Sequence, residues 1–202
     1  MTALAGGVQR AQGRSLDAVE REQARTAILG LMSQGPLERL GMREAAAAAG
    51  LSLATLYKYF GGKDGLPAAV LAPDLEALVA AMDHASRTAI GVKARLQGVL
   101  GALCEFARSH ADAARALWLH LPPSTWDAGE PDWRGQRLRI VSHILRNGQR
   151  DGSVRADVDD ASLAQLMLGA ADRSIETALA DAEAEAPAGA RLFAHLWPLA
   201  AA

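Results

Sequence analysis

The chain of 202 residues reads as an all-α protein of about nine helices, and three observations point there. Half of its residues are hydrophobic, chiefly alanine and leucine in long runs that favour helix. Only 4% are aromatic and β-branched residues do not cluster, so strand-forming stretches are scarce. Along most of the chain apolar residues recur three and four positions apart, the period of a helix with one buried face.

The first helix starts near Leu16, with Val19, Ala27, Ile28, Leu31 and Met32 at near-helical spacing and Arg21, Glu22 and Arg25 opposite. Ser15 is its expected N-cap, and Gly35-Pro36 stops it. GMREAAAAAG, residues 41–50, predicts a short compact helix ending at Gly50. LSLATLYKYF, residues 51–60, restarts helix with Ser52 as cap. A glycine between the two can take a positive φ, which lets short helices cross steeply, and this is a helix-turn-helix layout.

Gly61-Gly62 ends the third helix and Lys63-Asp64 opens the fourth, which carries Leu66, Val70, Leu71, Leu75, Leu78, Val79 and Met82. Pro67 suits a first turn, whereas Pro73 predicts a kink or break and a domain boundary near it. Further helices are expected over 92–109, over 111–121 around Trp118, and over 134–150. Two more follow: one capped by Asp159 or Asp160 and running past Ile175 to Leu179, and a last one carrying Leu192, Phe193, Leu196 and Trp197. PPSTWDAGEPDW and EAPAG read as loops. The expected organisation is a flexible lead-in over 1–14, a three-helix unit over 15–66 and a larger helical domain over 67–202.

The sequence argues against several function classes. Cys104 is the single cysteine, so no disulfide forms within one chain and no Cys-based zinc site can be assembled, which fits a reducing, cytoplasmic setting. No apolar run reaches the roughly 18 residues that span a bilayer. The five histidines (84, 110, 120, 143 and 195) lack metal-ligand spacing, and no nucleophile elbow or phosphate-binding glycine loop occurs. Neither an enzyme nor a cofactor is expected. The net charge of −2 divides unevenly: residues 1–67 hold eight Lys/Arg against six Asp/Glu, leaving −4 for the rest, a sign that suits anion binding at the N-terminal end.

The chemistry concentrates in residues 51–66, which contain both tyrosines, two lysines and a Gly-Gly pair. Leu53, Leu56 and Phe60 form one buried stripe of the third helix, so Thr55, Tyr57, Lys58 and Tyr59 cannot all face the core. A hydroxyl, two phenols and an amine on a short exposed helix can bond phosphate oxygens and touch base edges in a major groove. Lys63, after the glycine turn, can grip a phosphate together with free helix-end amides. The opposing reading is a solvated face with tyrosines covering a core.

The stretch MREAAAAAGLSLATLYKYFGGKDGLPAAVL resembles the N-terminal DNA-binding region of TetR-family transcriptional regulators, in which A-x-x-A-G-[VL]-S, T-L-Y-x-[HY]-F and K-[DE]-x-L follow in this order. The resemblance covers about residues 16 to 72. It implies Ser52 as the helix cap, Thr55 and Tyr57 as groove contacts, Tyr59 as a backbone-phosphate contact and Lys63 as the phosphate clamp, with Lys58 at a variable position that tunes preference or affinity. Two positions depart from the pattern. Gly41 stands where Ser or Thr is usual, leaving Arg43 to make up a phosphate contact, and Leu53 stands where a polar or small residue is usual, either as core or against a thymine methyl.

The resemblance further implies a homodimer on double-stranded DNA with a near-palindromic operator, no membrane, and a C-terminal domain that senses a small molecule. Leu163, Leu166, Gly169, Ala170, Arg173 and Thr177 on the eighth helix, with Phe193, Leu196 and Trp197 on the ninth, are the candidate dimer faces, or they pack within one chain. Met82, Leu103, Phe106, Trp118, Ile144 and Met167, with His110, Cys104 and His143 as scarce polar groups, are candidate linings for a mostly apolar effector, or ordinary core and surface. The expected function is a repressor released by that effector. The rival is a helical enzyme or carrier whose N-terminal helices bind protein.

Overall fold

A computed structural model describes residues 15–121, 132–181 and 188–202. The expected lead-in at 1–14 and most of both expected loops lie outside these. Nine helices are seen among the described residues: α1 (Ala18–Met32), α2 (Met42–Ala48), α3 (Leu53–Phe60), α4 (Leu66–Thr88), α5 (Val92–Ser109), α6 (Ala111–Arg115), α7 (Trp133–Asp151), α8 (Asp160–Ala180) and α9 (Gly189–Ala200). A 3₁₀ turn at Leu37–Arg39 leads into α2, and one turn of π-helix, Ala116–His120, extends α6. The fold is all-α; among the described residues one isolated bridge joins Val154 and Ala201.

The start of α1 differs from expectation. Asp17, not Ser15, is the N-cap: its carboxylate accepts from the Glu20 amide at 2.8 Å, and the Glu20 carboxylate accepts from the Asp17 amide at 3.1 Å. Two orphan amides are thus satisfied reciprocally, which a serine two residues earlier could not do. The buried face is Ala24, Ile28, Leu29 and Met32, while Val19 is 65% exposed. Arg25, expected on the polar face, turns instead toward α4.

The fourth helix also departs from its reading. It begins at Leu66 rather than at Lys63, with Pro67 in its first turn, and it continues through Pro73 for 23 residues. A proline costs one helical hydrogen bond, here the one to the Ala69 carbonyl. Buried Val70, Leu71 and Leu75 on the turns around it hold the helix together at that point. Asp159, rather than Asp160, caps α8 by accepting from the Ser162 amide at 2.9 Å.

One hydrophobic core runs from Ala24 of α1 to Ala200 of α9 without a gap between the N-terminal and C-terminal helices. In the C-terminal part α4 pairs with α5, α7 with α8 and α5 with α9. The α5–α9 crossing depends on glycine, because a Cβ at Gly189 would stand 2.6 Å from the Cα of Gly101. Ion pairing joins the halves as well: the Arg25 guanidinium meets the Asp74 carboxylate at 2.6 Å and donates to the Val70 carbonyl at 2.9 Å. A second tie sets a ring nitrogen of His120, on the π turn, 3.0 Å from the Ser33 carbonyl at the end of α1.

Candidate nucleic-acid interface

The unit α1–α3 presents α3 outward, and the chain dictates how. Gly50 has φ +65°, a backbone that residues with a Cβ resist, and it redirects the chain between α2 and α3. Ser52 then caps α3, its hydroxyl accepting from the Thr55 amide at 3.1 Å and lying 2.8 Å from the Thr55 hydroxyl. Leu56 and Phe60 are buried and Leu53 is half-buried against the core, so the helix is pinned along one side. Gly61, at φ +74°, turns the chain away at the other end.

What faces solvent is the stripe Ala54, Tyr57 and Lys58, one turn apart, with Thr55 half-buried at its edge and Tyr57 47% exposed. Tyr57 and Lys58 stand on this face as expected. Ala54 had not been singled out, yet a small residue there leaves the first turn of α3 open to close approach; the i, i+3, i+4 spacing with Tyr57 and Lys58 was the available signal. Leu53 packs against the core, which accounts for an apolar side chain at that position.

Tyr59 is placed differently from a free phosphate donor. It is half-buried, its hydroxyl accepts from the Leu16 amide at 2.9 Å and lies 3.2 Å from the Ser15 hydroxyl. These hydrogen bonds, Ser15 first, together with the nearby Lys58 ammonium, lower the phenol below its ordinary range. Arg21 of α1 and Lys58 both lie over its ring, at 5.4 and 5.0 Å from the centroid. Ser15, expected as a cap, is therefore part of a brace between α1 and α3.

Lys63 is exposed on the turn after α3, and its ammonium donates to the Glu38 carbonyl at 2.9 Å. One of its three N–H groups is used to hold it against the turn before α2, and two remain for an acceptor outside. At the start of α2, Gly41 has no side chain to cap with, and the Glu44 carboxylate stands 3.5 Å from its amide. Arg43 is exposed in the first turn of α2.

The C-terminal candidates divide. On α8, Leu166 (63% exposed), Gly169, Arg173 and Thr177 form an outward stripe with Ala170 beside it. Leu163, Phe193 and Leu196, expected on the dimer faces, are turned into the chain's own core because their neighbours one turn away already face it; Trp197 is half-buried and stacks on Phe193 at 5.7 Å. Of the candidate effector linings, Met82, Leu103, Phe106, Ile144 and Met167 are closed core. His110 is exposed and stacks on Phe106 at 4.9 Å, with Trp118 edge-on to the same ring at 6.0 Å. Cys104 is buried, which pushes its thiol up to about 11.

Of those candidates, His143 borders a cleft. Two adjoining clefts of about 430 and 540 Å³ lie between α4 and α7 and share Asp83, Arg139 and Ile140. Val79, Ala80 and Gln136 continue the first, while Arg87, Arg95 and His143 continue the second.

The sequence reading also missed a polar cluster inside the C-terminal helices. Arg137, 3% exposed, donates twice to Asp172, at 3.1 and 2.7 Å, and Trp118 donates its indole N–H to the same carboxylate at 3.1 Å. The guanidinium lies 4.7 Å from the Trp133 ring centroid, and its Nε–H is buried with no acceptor among the described residues. The signal was present, since Arg137 falls on the apolar stripe with Val141 and Ile144.

Comparison with known proteins bears on both halves. Residues 25–70 match the family model of the bacterial regulatory proteins of the tetR family. No curated protein shows a significant sequence match to the chain. Among solved structures, a TetR-like transcriptional regulator from Rhodococcus sp. RHA1 superposes with a TM-score of 0.71 at 23% identity, covering 91% of this chain and 96% of that one. A tetR-family regulatory protein from Rhodococcus RHA1 gives 0.75 at 17%, covering 92% and 98%. FadR from Bacillus subtilis in complex with stearoyl-CoA gives 0.71 at 17%, covering 88% and 95%. Nearly the whole length of each shares the fold described above. Among the described residues no helix is long and apolar enough to cross a membrane, and no three His, Cys, Asp or Glu side chains cluster as a metal site would need.

Proposed function

We propose that this chain, TetR-family in its N-terminal helices and TetR-like in its whole fold, represses transcription as a homodimer whose two α3 helices read successive major grooves of a near-palindromic operator. The observation that carries the reading is the outward stripe of α3, capped by Ser52 and flanked by glycine turns, with Lys63 held beside it. Tyr57 and Thr55 meet base edges, and Lys63 meets a phosphate with the N–H groups it does not spend on Glu38. The α8 stripe Leu166, Gly169, Arg173 and Thr177 supports a dimer, since small and apolar groups there allow a second copy to approach closely.

The effector is a small, mostly apolar molecule. Support comes from the fold, which in FadR from Bacillus subtilis holds stearoyl-CoA, and from the clefts beside α4, whose walls mix Val79, Ala80 and Ile140 with arginines. An effector that binds better when α4 shifts lowers operator affinity by its differential affinity for the two arrangements.

The experiment is operator binding against salt, on DNA selected from genomic fragments. Lys63→Ala flattens the log–log slope by about 0.9 per protomer if one phosphate contact is lost. Tyr57→Ala weakens the selected site and relaxes preference at one base pair, by about 1–3 kcal/mol. Failure of the unaltered protein to bind any fragment at low salt would sink the reading in favour of a helical carrier or enzyme.

A further inference from the structure

Two cations from different helices converge on one aromatic ring at the outer corner of the three-helix unit. The Arg21 guanidinium of α1 and the Lys58 ammonium of α3 lie 5.4 and 5.0 Å from the centroid of Tyr59, and both side chains are exposed. They are thus held no farther apart than about one Debye length, ~10 Å at 0.1 M salt. Like charges at that separation repel only weakly in water, and the ring attracts each cation, so both can stay where they are.

Acids that could neutralise them are committed elsewhere. Asp17 and Glu20 close on each other's backbone amides, and Glu22 pairs with Arg25 at 2.7 Å. Among the described residues Arg21 has no carboxylate partner. The ring between the cations is itself immobilised, because the Tyr59 hydroxyl is tied to the Leu16 amide and the Ser15 hydroxyl. A fixed ring therefore keeps a planar fork of donors and an ammonium, both exposed, close to one another, an arrangement that suits the oxygens of a phosphodiester backbone.

We infer that Arg21 and Lys58 form a second phosphate clamp on duplex DNA, bridging α1 and α3, with Tyr59 as the positioning residue that holds both. This rests on the DNA-binding reading above and alters it: the backbone contact assigned by family resemblance to the Tyr59 hydroxyl passes to the two cations on its ring, and α1 gains a contact that no motif marks. The clamp is tied to α1, whereas Lys63 is tied to the turn before α2, so the two grips reach α3 from different neighbours.

The test measures binding to wild-type-selected DNA between about 50 and 200 mM salt. Arg21→Gln is expected to flatten the slope by about 0.9 per protomer and to weaken selected and unselected DNA by the same several-fold factor, with the thermal midpoint unchanged. Lys58→Gln should do the same, and the double variant about twice as much. Arg21→Lys should restore most of the slope. Tyr59→Leu, which removes no charge, should lose slope because the platform is gone, while Tyr59→Phe, which keeps the ring but frees it from Leu16 and Ser15, should lose less. An Arg21→Gln protein with wild-type slope and affinity overturns the clamp, as does one with a lowered thermal midpoint and an unchanged slope, which would make the stack a brace only. If that happens while Lys63→Ala still flattens the slope, the DNA-binding reading survives and this inference alone fails.

Discussion

Arg25 of α1 and Asp74 of α4 meet at 2.6 Å with side chains only 13% and 9% exposed, so one ion pair, largely shielded from water, fastens the N-terminal helices to the 23-residue α4. Arg25 also holds Glu22 at 2.7 Å. Four of the five N–H groups of this guanidinium are thereby used, by two carboxylates and a backbone carbonyl.

Breaking that arrangement from one side should be costly. Asp74→Asn leaves Arg25 without its buried partner, and a loss of about 3 kcal/mol in unfolding free energy is expected by chemical denaturation. The hydrogen bond from Arg25 also lowers the Glu22 carboxyl below its ordinary 4.5. A depressed carboxylate stabilises the fold above its unfolded value and loses that contribution as pH falls through the lower folded one. Arg25→Gln should therefore make the protein less stable at neutral pH and its stability less dependent on pH below about 4.5.

Gly50 offers a test of the helix-turn-helix geometry in isolation. Nothing lies within 4 Å of the Cβ it lacks, so Gly50→Ala meets no clash and its cost is that of the +65° φ alone. About 1–2 kcal/mol of destabilisation is expected, and Gly50→Asn should recover part of it because asparagine tolerates the left-handed region. Thermal unfolding of the two variants checks both statements.

The Arg137–Asp172 pair predicts an asymmetry. Asp172→Ala strands a guanidinium that is 3% exposed and whose Nε–H already has no acceptor among the described residues, so about 3–5 kcal/mol of stability should go. Arg137→Met removes the buried charge and fills the space with an apolar chain, and it should cost much less, since Asp172 is partly solvated and keeps Trp118. Equal losses in denaturant midpoints would contradict this account.

Burial keeps Cys104 protonated. A thiol moved up from 9.0 to about 11 favours the folded state below pH 9 and withdraws that support as pH rises toward 11, a contribution on the order of 2–3 kcal/mol. A thiol reagent at pH 8 should label it only after denaturant is added, and Cys104→Ala should flatten the loss of stability between pH 9 and 11.

Much of this was legible because the relevant signals are local. The glycine turns, the Ser52 cap and the Leu56–Phe60 stripe are set by neighbours within one helical turn, so α2, α3 and the outward face of α3 follow from the letters. The intrachain partners of Arg25, Arg137 and Tyr59 were not legible for a shared reason: they lie far along the chain, at Asp74, Asp172 and Leu16. Helical periodicity says which side of a helix a residue occupies, and it cannot say that a charge on the buried side has met its counter-charge. Phe193 and Leu196 illustrate the converse, since an apolar face looks the same whether it is covered by its own chain or by another.

The unbroken passage of α4 through Pro73 has a mechanical consequence. Twenty-three residues of helix make a rod of roughly 35 Å, whose first turn abuts α3 and whose far end borders the clefts at Asp83 and Arg87. The two halves of the protein are joined by a strut rather than a tether, so neither can reorient freely. A tilt of about 5° pivoting near one end displaces the other by ~3 Å over such a length, about the rise of two residues. That is also the scale of the hydrogen bonds by which a reading helix would hold a base edge.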